Sequence, residues 1–182
     1  YVDHKVDFII NISSSPWTLN KELSREKRIK EHVQIHGDKM VPLVYVNACG
    51  MQNNGKNVLV FDGDSTIYQK DGRVLAQLND DFNEDCQVFD LKQTYQTHIT
   101  HNKLLNALVV AIREFDQQVL TFKPKWIIGL SGGIDSSVNV ALLCMALGSD
   151  RVIGYNMASR YNQAKTKNIA YETAKKLNVE YY

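Results

Sequence analysis

The 182-residue chain is predicted to be an α/β protein in two parts. Three observations carry this. Over 126–182, short apolar runs alternate with helical stretches, and a βαβα order implies a parallel sheet. Over 1–92, apolar runs are joined by short turns of Asn, Asp and Gly, so antiparallel pairing is expected among the middle strands. Between them, Leu104, Leu105, Leu108, Val109, Ile112 and Phe115 recur at helical spacing and predict a helix from His101 to about Gln118.

The elements follow in order. Val6–Ile12 reads as an apolar strand, Leu23–His36 as a helix rich in Lys, Arg and Glu, and Val41–Ala48 as a buried strand. Val58–Phe61 and Thr66–Gln69 read as strands, and Lys70-Asp71-Gly72 turns the chain into Arg73–Leu78. Cys86–Leu91 is expected to close the set as a last strand. Lys123-Pro124-Lys125 breaks the central helix pattern and leads into a strand over 126–130. A helix over 136–147 ends at Gly148 as its C-cap. Strand Val152–Asn156, a helix from about Gln163 to Leu177, and a strand opening at 179 complete the pattern. The expected organisation is a first domain over 1–92, a linker with a helix over 93–125, and a second domain over 126–182. With no initiator Met and an end at Glu180-Tyr181-Tyr182, where a strand begins, the chain is expected to be an internal fragment of a longer protein.

Composition excludes several classes. The net charge is +1 and charged residues make up 23%, so no field favours nucleic acid or a membrane surface. No apolar run approaches the ~20 residues of a membrane span, and Tyr1-Val2-Asp3-His4-Lys5 is not a signal peptide. Cys49, Cys86 and Cys144 are an odd set without a CxxC pair, which fits a reducing cytoplasm. His32 and His36 have metal-pair spacing, but no third ligand is evident and their Lys and Glu neighbours suggest a solvated face. His98 and His101 read as surface residues at a helix start. The mixed signs of Lys21–Arg28 predict an exposed, salt-bridged helix rather than a nucleic-acid patch.

One stretch carries chemistry. Gly129-Leu130-Ser131-Gly132-Gly133-Ile134-Asp135-Ser136-Ser137 follows the apolar run Trp126-Ile127-Ile128. It reads as strand, glycine turn and helix start. Adjacent glycines permit positive φ and close backbone approach, the serines supply hydroxyls, and the helix start offers free N–H groups and a positive dipole end to an anion. The loop is therefore read as a phosphate site. It lacks the Lys of the common P-loop. Asp135 would repel a polyphosphate unless a divalent cation lay between them. Mg²⁺ takes one or two carboxylates plus substrate phosphates, so Asp135 is the candidate ligand. As a mere helix-dipole complement Asp135 would contribute roughly 0.3–1 kcal/mol. That would explain the Asp alone, not its company.

Ser131-Gly132-Gly133-Ile134-Asp135-Ser136-Ser137 resembles the pyrophosphate loop of the ATP pyrophosphatases, which split ATP into AMP and pyrophosphate. The first half carries a second resemblance. Phe8-Ile9-Ile10-Asn11-Ile12-Ser13-Ser14-Ser15-Pro16-Trp17, Pro42 to Gly50, Leu59-Val60-Phe61-Asp62-Gly63-Asp64-Ser65 and the turn at Asp71-Gly72-Arg73 look like the second half of a nitrilase-type amidase domain. The two in this order resemble the family of glutamine-dependent NAD synthetases. Tyr155-Asn156-Met157-Ala158-Ser159-Arg160-Tyr161 also looks like that family's segment, with Ala158 where a Pro is usual. The implied fold is a partial nitrilase-like α-β-β-α sandwich, followed by the first βαβα units of a Rossmann-like parallel-sheet ATP pyrophosphatase domain.

The resemblance implies amidation of deamido-NAD to NAD, with ATP, glutamine and deamido-NAD as substrates and Mg²⁺ as metal. It implies ATP contacts at Gly129, Leu130, Ser131, Gly132, Gly133, Ile134, Asp135, Ser136, Ser137 and Met157, with Asp135 on the metal. It implies glutamine contacts at Ser15 and Lys21. The glutaminase Glu, Lys and Cys are expected upstream of Tyr1, so no catalytic residue is assigned in this chain, and Cys49 is read as a small buried hydrophobe. On this reading the chain alone is catalytically incomplete, its partners are small molecules rather than nucleic acid or membrane, and a homo-oligomer is implied. Another ATP-pyrophosphatase amidotransferase or a tRNA-modifying enzyme is the alternative; the latter would call for a basic surface or zinc-type cysteine pairs.

Overall fold

The computed structural model describes residues 5–93, 95–96, 102–157 and 164–182, the side chains of 164 and 165 aside. His98 and His101 lie outside them, as do Ala158, Ser159, Arg160 and Tyr161. The chain is an α/β protein that divides into two compact units, Tyr1–Ala107 and Leu108–Tyr182.

The first unit is built on a four-stranded mixed sheet. Strand β1 (Ile9–Ser13) leads through helix α1 (Lys21–His36) to β2 (Leu43–Asn47), and these strands pair in parallel. Strands β3 (Cys49–Asn53) and β4 (Val58–Asp62) form an antiparallel two-stranded sheet. Strands β5 (Thr66–Tyr68) and β6 (Val74–Gln77) return antiparallel, giving the order β1-β2-β5-β6. Gly72 sits at φ +81 in the β5–β6 turn, and a Cβ there would meet Val33 and Ile29 of α1 at 3.0 and 3.3 Å. Helix α1 thus seats Ile29 and Val33 on that turn.

Two sequence expectations change here. Cys86–Leu91 is not a strand: Cys86 is exposed, and Val88 is 97% exposed. Among the described residues no strand pairs with this segment. Cys49 is not the fully buried hydrophobe expected. It opens β3 and is half-buried, paired with Asp62 of β4.

In the second unit, helix α2 (Lys103–Val119), which begins in the first, leads to β7 (Trp126–Gly129). Helix α3 (Ile134–Leu147), β8 (Val152–Tyr155), helix α4 (Ala164–Lys176) and β9 (Glu180–Tyr181) follow. The sheet is parallel in the order β7-β8-β9, as the alternating pattern required. Leu130, Val140, Leu143, Val152, Ala170, Ala174 and Val179 form its core. Gly148 caps α3 by donating its N–H to the Cys144 carbonyl at 2.9 Å. Buried Asp116 locks α2 to this sheet, accepting from Arg151 at 2.6 and 2.8 Å and from the Trp126 indole at 2.9 Å. The Arg151 hydrogen bond holds its carboxyl below the usual carboxylate range. Among the described residues no helix is long and apolar enough to cross a membrane.

Candidate functional site

The glycine-serine loop sits at the carboxyl end of β7, where parallel sheets bind ligands. Parallel register sets Gly129 beside Tyr155, and the Leu130 N–H donates to the Tyr155 carbonyl at 2.9 Å. The Leu130 side chain is fully buried in the core and anchors the loop. Ser131, Gly133, Ile134 and Asp135 are exposed. The two glycines differ. Gly132 takes φ +84, whereas Gly133 is the extended N-cap of α3 at φ −81. Only Gly132 needs the left-handed region.

The hydroxyls form a circuit. Ser131 N–H donates to Ser136 Oγ at 3.3 Å, and the two hydroxyl oxygens are 3.1 Å apart. Gly133 N–H donates to Ser131 Oγ at 3.4 Å. Ser136 and Ser137 hydroxyls donate to the Gly133 carbonyl at 3.1 and 2.9 Å. No side chain caps α3, so its first N–H groups keep their capacity for an anion. Among the described residues, no donor takes up the Asp135 carboxylate. No group of three or more His, Cys, Asp or Glu gathers there or elsewhere among the described residues, His32 and His36 included. The donor set therefore suits a cation held by one carboxylate together with phosphate oxygens, the Mg²⁺ habit. Met157 is 80% exposed. Its Cε is 3.6 Å from where a Gly129 Cβ would stand, so β7 and β8 bring it to the loop.

In the first unit, Ser15 follows β1 and Lys21 opens α1, both half-buried. Ser15 N–H donates to Asn47 Oδ1 at 2.9 Å. Lys21 N–H donates to the Thr18 carbonyl at 3.0 Å. Among the described residues, no partner takes up the Ser15 hydroxyl or the Lys21 ammonium.

Sequence reading missed the charge cluster beneath these residues. Asp62, fully buried, accepts from Arg25 at 2.7 and 3.2 Å, from Lys103 at 3.1 Å and from Asn47 at 3.2 Å. Asp64 accepts from Arg25 at 2.5 Å and from Gln77, and Lys103 reaches Asp80 at 3.0 Å. Burial opposes the charge on Arg25, but the Asp62 hydrogen bond and charge prevail and raise its pKa. Lys103 is raised likewise, burial being outweighed by the Asp62 and Asp80 carboxylates. Burial pushes Asp64 up, against the pull of Gln77, Lys103 and Arg25. Arg25 therefore corrects the picture of α1 as uniformly exposed, although Lys27–Glu31 and Lys30–Glu26 are the expected surface pairs. The one sequence signal was an Asp closing the apolar run Leu59-Val60-Phe61.

The model of the family described as NAD synthase matches residues 104–182. A glutamine-dependent NAD(+) synthetase of Synechocystis sp. is 31% identical over 98% of this chain and 32% of its own length. One of Acinetobacter baylyi is 29% identical over 97% and 32%. The structure of a glutamine-dependent NAD+ synthetase from Acinetobacter baumannii in complex with ADP superposes with a TM-score of 0.83 at 28% identity, covering 97% of this chain and 33% of that one. The chain thus spans about a third of the length of these relatives. Residues 104–182 match the NAD synthase family model, and the chain along nearly its whole length is similar to glutamine-dependent NAD(+) synthetases.

Proposed function

We propose that the protein takes part in ATP-dependent amidation of deamido-NAD to NAD, using ammonia released from glutamine. The observation that carries this is the exposed serine-glycine loop at the end of β7, opening onto an uncapped α3. In the proposed reaction the nicotinate carboxylate attacks the α-phosphorus of ATP, and pyrophosphate leaves. Ammonia then attacks the acyl carbon and displaces AMP. Our reading of the architecture is a nitrilase-like part over 1–92, a helical linker over 93–125 and a Rossmann-like ATP pyrophosphatase part over 126–182.

The chain's own residues would do the following. N–H groups at the start of α3, with the Ser131 and Ser136 hydroxyls, would receive the leaving pyrophosphate. Phosphate oxygens are stronger acceptors than the hydroxyl and carbonyl partners these serines now use. Met157 would border the adenosine, and Leu130 would fix the loop to the core. Asp135 would hold Mg²⁺, which when bound supplies neutralisation of phosphate charge. Ser15 and Lys21 would contact glutamine.

Two experiments test this on the full-length protein. Product analysis should find AMP and pyrophosphate; ADP with orthophosphate would refute the loop assignment. Lys21→Ala should impair NAD formation from glutamine and spare formation from added ammonia, which bypasses the amidase. Equal loss on both sources would make Lys21 a support of the fold.

Asp135→Asn separates metal holding from dipole complementation. Loss of a charged contact worth about 1.5–3 kcal/mol predicts turnover lower by roughly tenfold to a hundredfold with an unshifted melt. Normal turnover with a melt shifted by under about 1 kcal/mol would leave Asp135 only its helix-dipole role.

A further inference from the structure

We propose that Asn47 is a positioning residue for the amide substrate: clamped by Asp62, it fixes the Ser15 backbone and so aims the Ser15 hydroxyl. The proposal rests on the glutamine reading of the first unit. Asn47 closes β2 and is 8% exposed. Its Oδ1 accepts the Ser15 N–H at 2.9 Å, and its Nδ2 donates to the Ser15 carbonyl at 3.4 Å and to Asp62 Oδ1 at 3.2 Å. Its own N–H donates to Ser65 Oγ at 3.0 Å, which holds the backbone from the other side.

An asparagine amide has two orientations of nearly the same shape, differing by exchange of O and N. Asp62 decides between them. An ionised carboxylate only accepts, and Asp62 is ion-paired to Arg25 and Lys103. Nδ2 must face it, which turns Oδ1 toward the Ser15 N–H. A buried charge thereby dictates backbone geometry at a residue 32 positions from Asn47. The same Asp62 grips Arg25, one helical turn beyond Lys21 on the same face of α1. Both residues assigned to glutamine are thus referred to one anchor, while the Ser15 hydroxyl itself has no partner among the described residues.

A purely architectural Asn47 would behave differently. Its loss would weaken the protein and lower NAD formation from either nitrogen source alike. The test is steady-state NAD formation by the full-length protein carrying Asn47→Ala, with glutamine and separately with ammonium chloride. The expected result is a glutamine KM raised about fivefold to tenfold, the loss of a buried hydrogen bond, with ammonia-supported kcat and KM unchanged. Asn47→Ser, which keeps a polar group in the site but is one atom too short for Ser15 and Asp62, carries the same expectation if the alanine variant does not fold. An unchanged glutamine KM in a folded variant overturns the proposal, and so does an equal loss on both sources. A wild-type protein that forms NAD from ammonia but not from glutamine fails the glutamine reading itself, and the proposal with it. The wild-type control therefore tells the two failures apart.

Discussion

Gly132→Ala is expected to cut ATP-dependent NAD formation by about a hundredfold or more, with glutamine and with ammonia alike. Gly132 stands at φ +84, and a Cβ there would lie 2.2 Å from the Thr166 carbonyl oxygen and 3.2 Å from the Ala170 nitrogen. Both are backbone atoms of α4, which cannot swing aside as a flexible side chain would. The left-handed conformation adds roughly 1–2 kcal/mol for an L-residue. Relief requires the loop to move by about an ångström, and a displacement of that size at a reacting centre costs on the order of a hundredfold. Gly133→Ala is the control. At φ −81 its Cβ would meet only the Ser131 hydroxyl, at an ordinary 3.5 Å. It should leave the melting temperature of the second unit in place, whereas Gly132→Ala should lower it. Equal melts and equal rates for the two variants would refute the distinction.

Arg25→Ala should destabilise the first unit by about 3–5 kcal/mol, read from denaturant unfolding. Its side chain is 11% exposed and pairs with Asp62 and Asp64, whose side chains are 0% and 6% exposed. Truncation would leave two carboxylates together in a buried site with Lys103 and the neutral donors Asn47 and Gln77 as compensation. The guanidinium also lies 5.2 Å from the centre of the Tyr45 ring, and truncation would remove that cation–π attraction as well. Lys27→Ala, two residues along the helix, should cost less than about 0.5 kcal/mol. Its side chain is 78% exposed and its pair with Glu31 spans 3.9 Å in solvent. A loss below about 1 kcal/mol for Arg25→Ala would show that the cluster relaxes around the gap.

Local chemistry was legible where it is written in consecutive residues. The parallel order of the second unit followed from apolar runs alternating with helical stretches, because parallel strands need crossovers. The strand, glycine turn and helix start between Gly129 and Ser137 were legible because they are written in consecutive residues. The strand at Cys49–Asn53 was not. Its residues, Cys, Gly, Met, Gln and Asn, have no alternation to read, and it exists because β4 pairs with it along five residues. Cys86–Leu91 failed in the opposite sense: it has apolar residues but no partner strand among the described residues.

The sequence by itself determined the α/β class, the parallel order of the second unit, and the strand–glycine turn–helix form of the 129–137 loop. It could do so because helix periodicity, turn chemistry and a nine-residue motif are short-range properties. Only the tertiary structure decided which glycine of the pair is indispensable, since that depends on Thr166 arriving from another helix. It alone decided that Arg25 leaves the solvated face of its helix for a buried site shared by Asp62, Asp64, Lys103 and Asn47. The directly bonded pairs among them stand up to 41 positions apart in the chain. No local pattern encodes such a pairing, because desolvating a charge is tolerable only where folding delivers its counter-charges, and that meeting is a property of the assembled sheet.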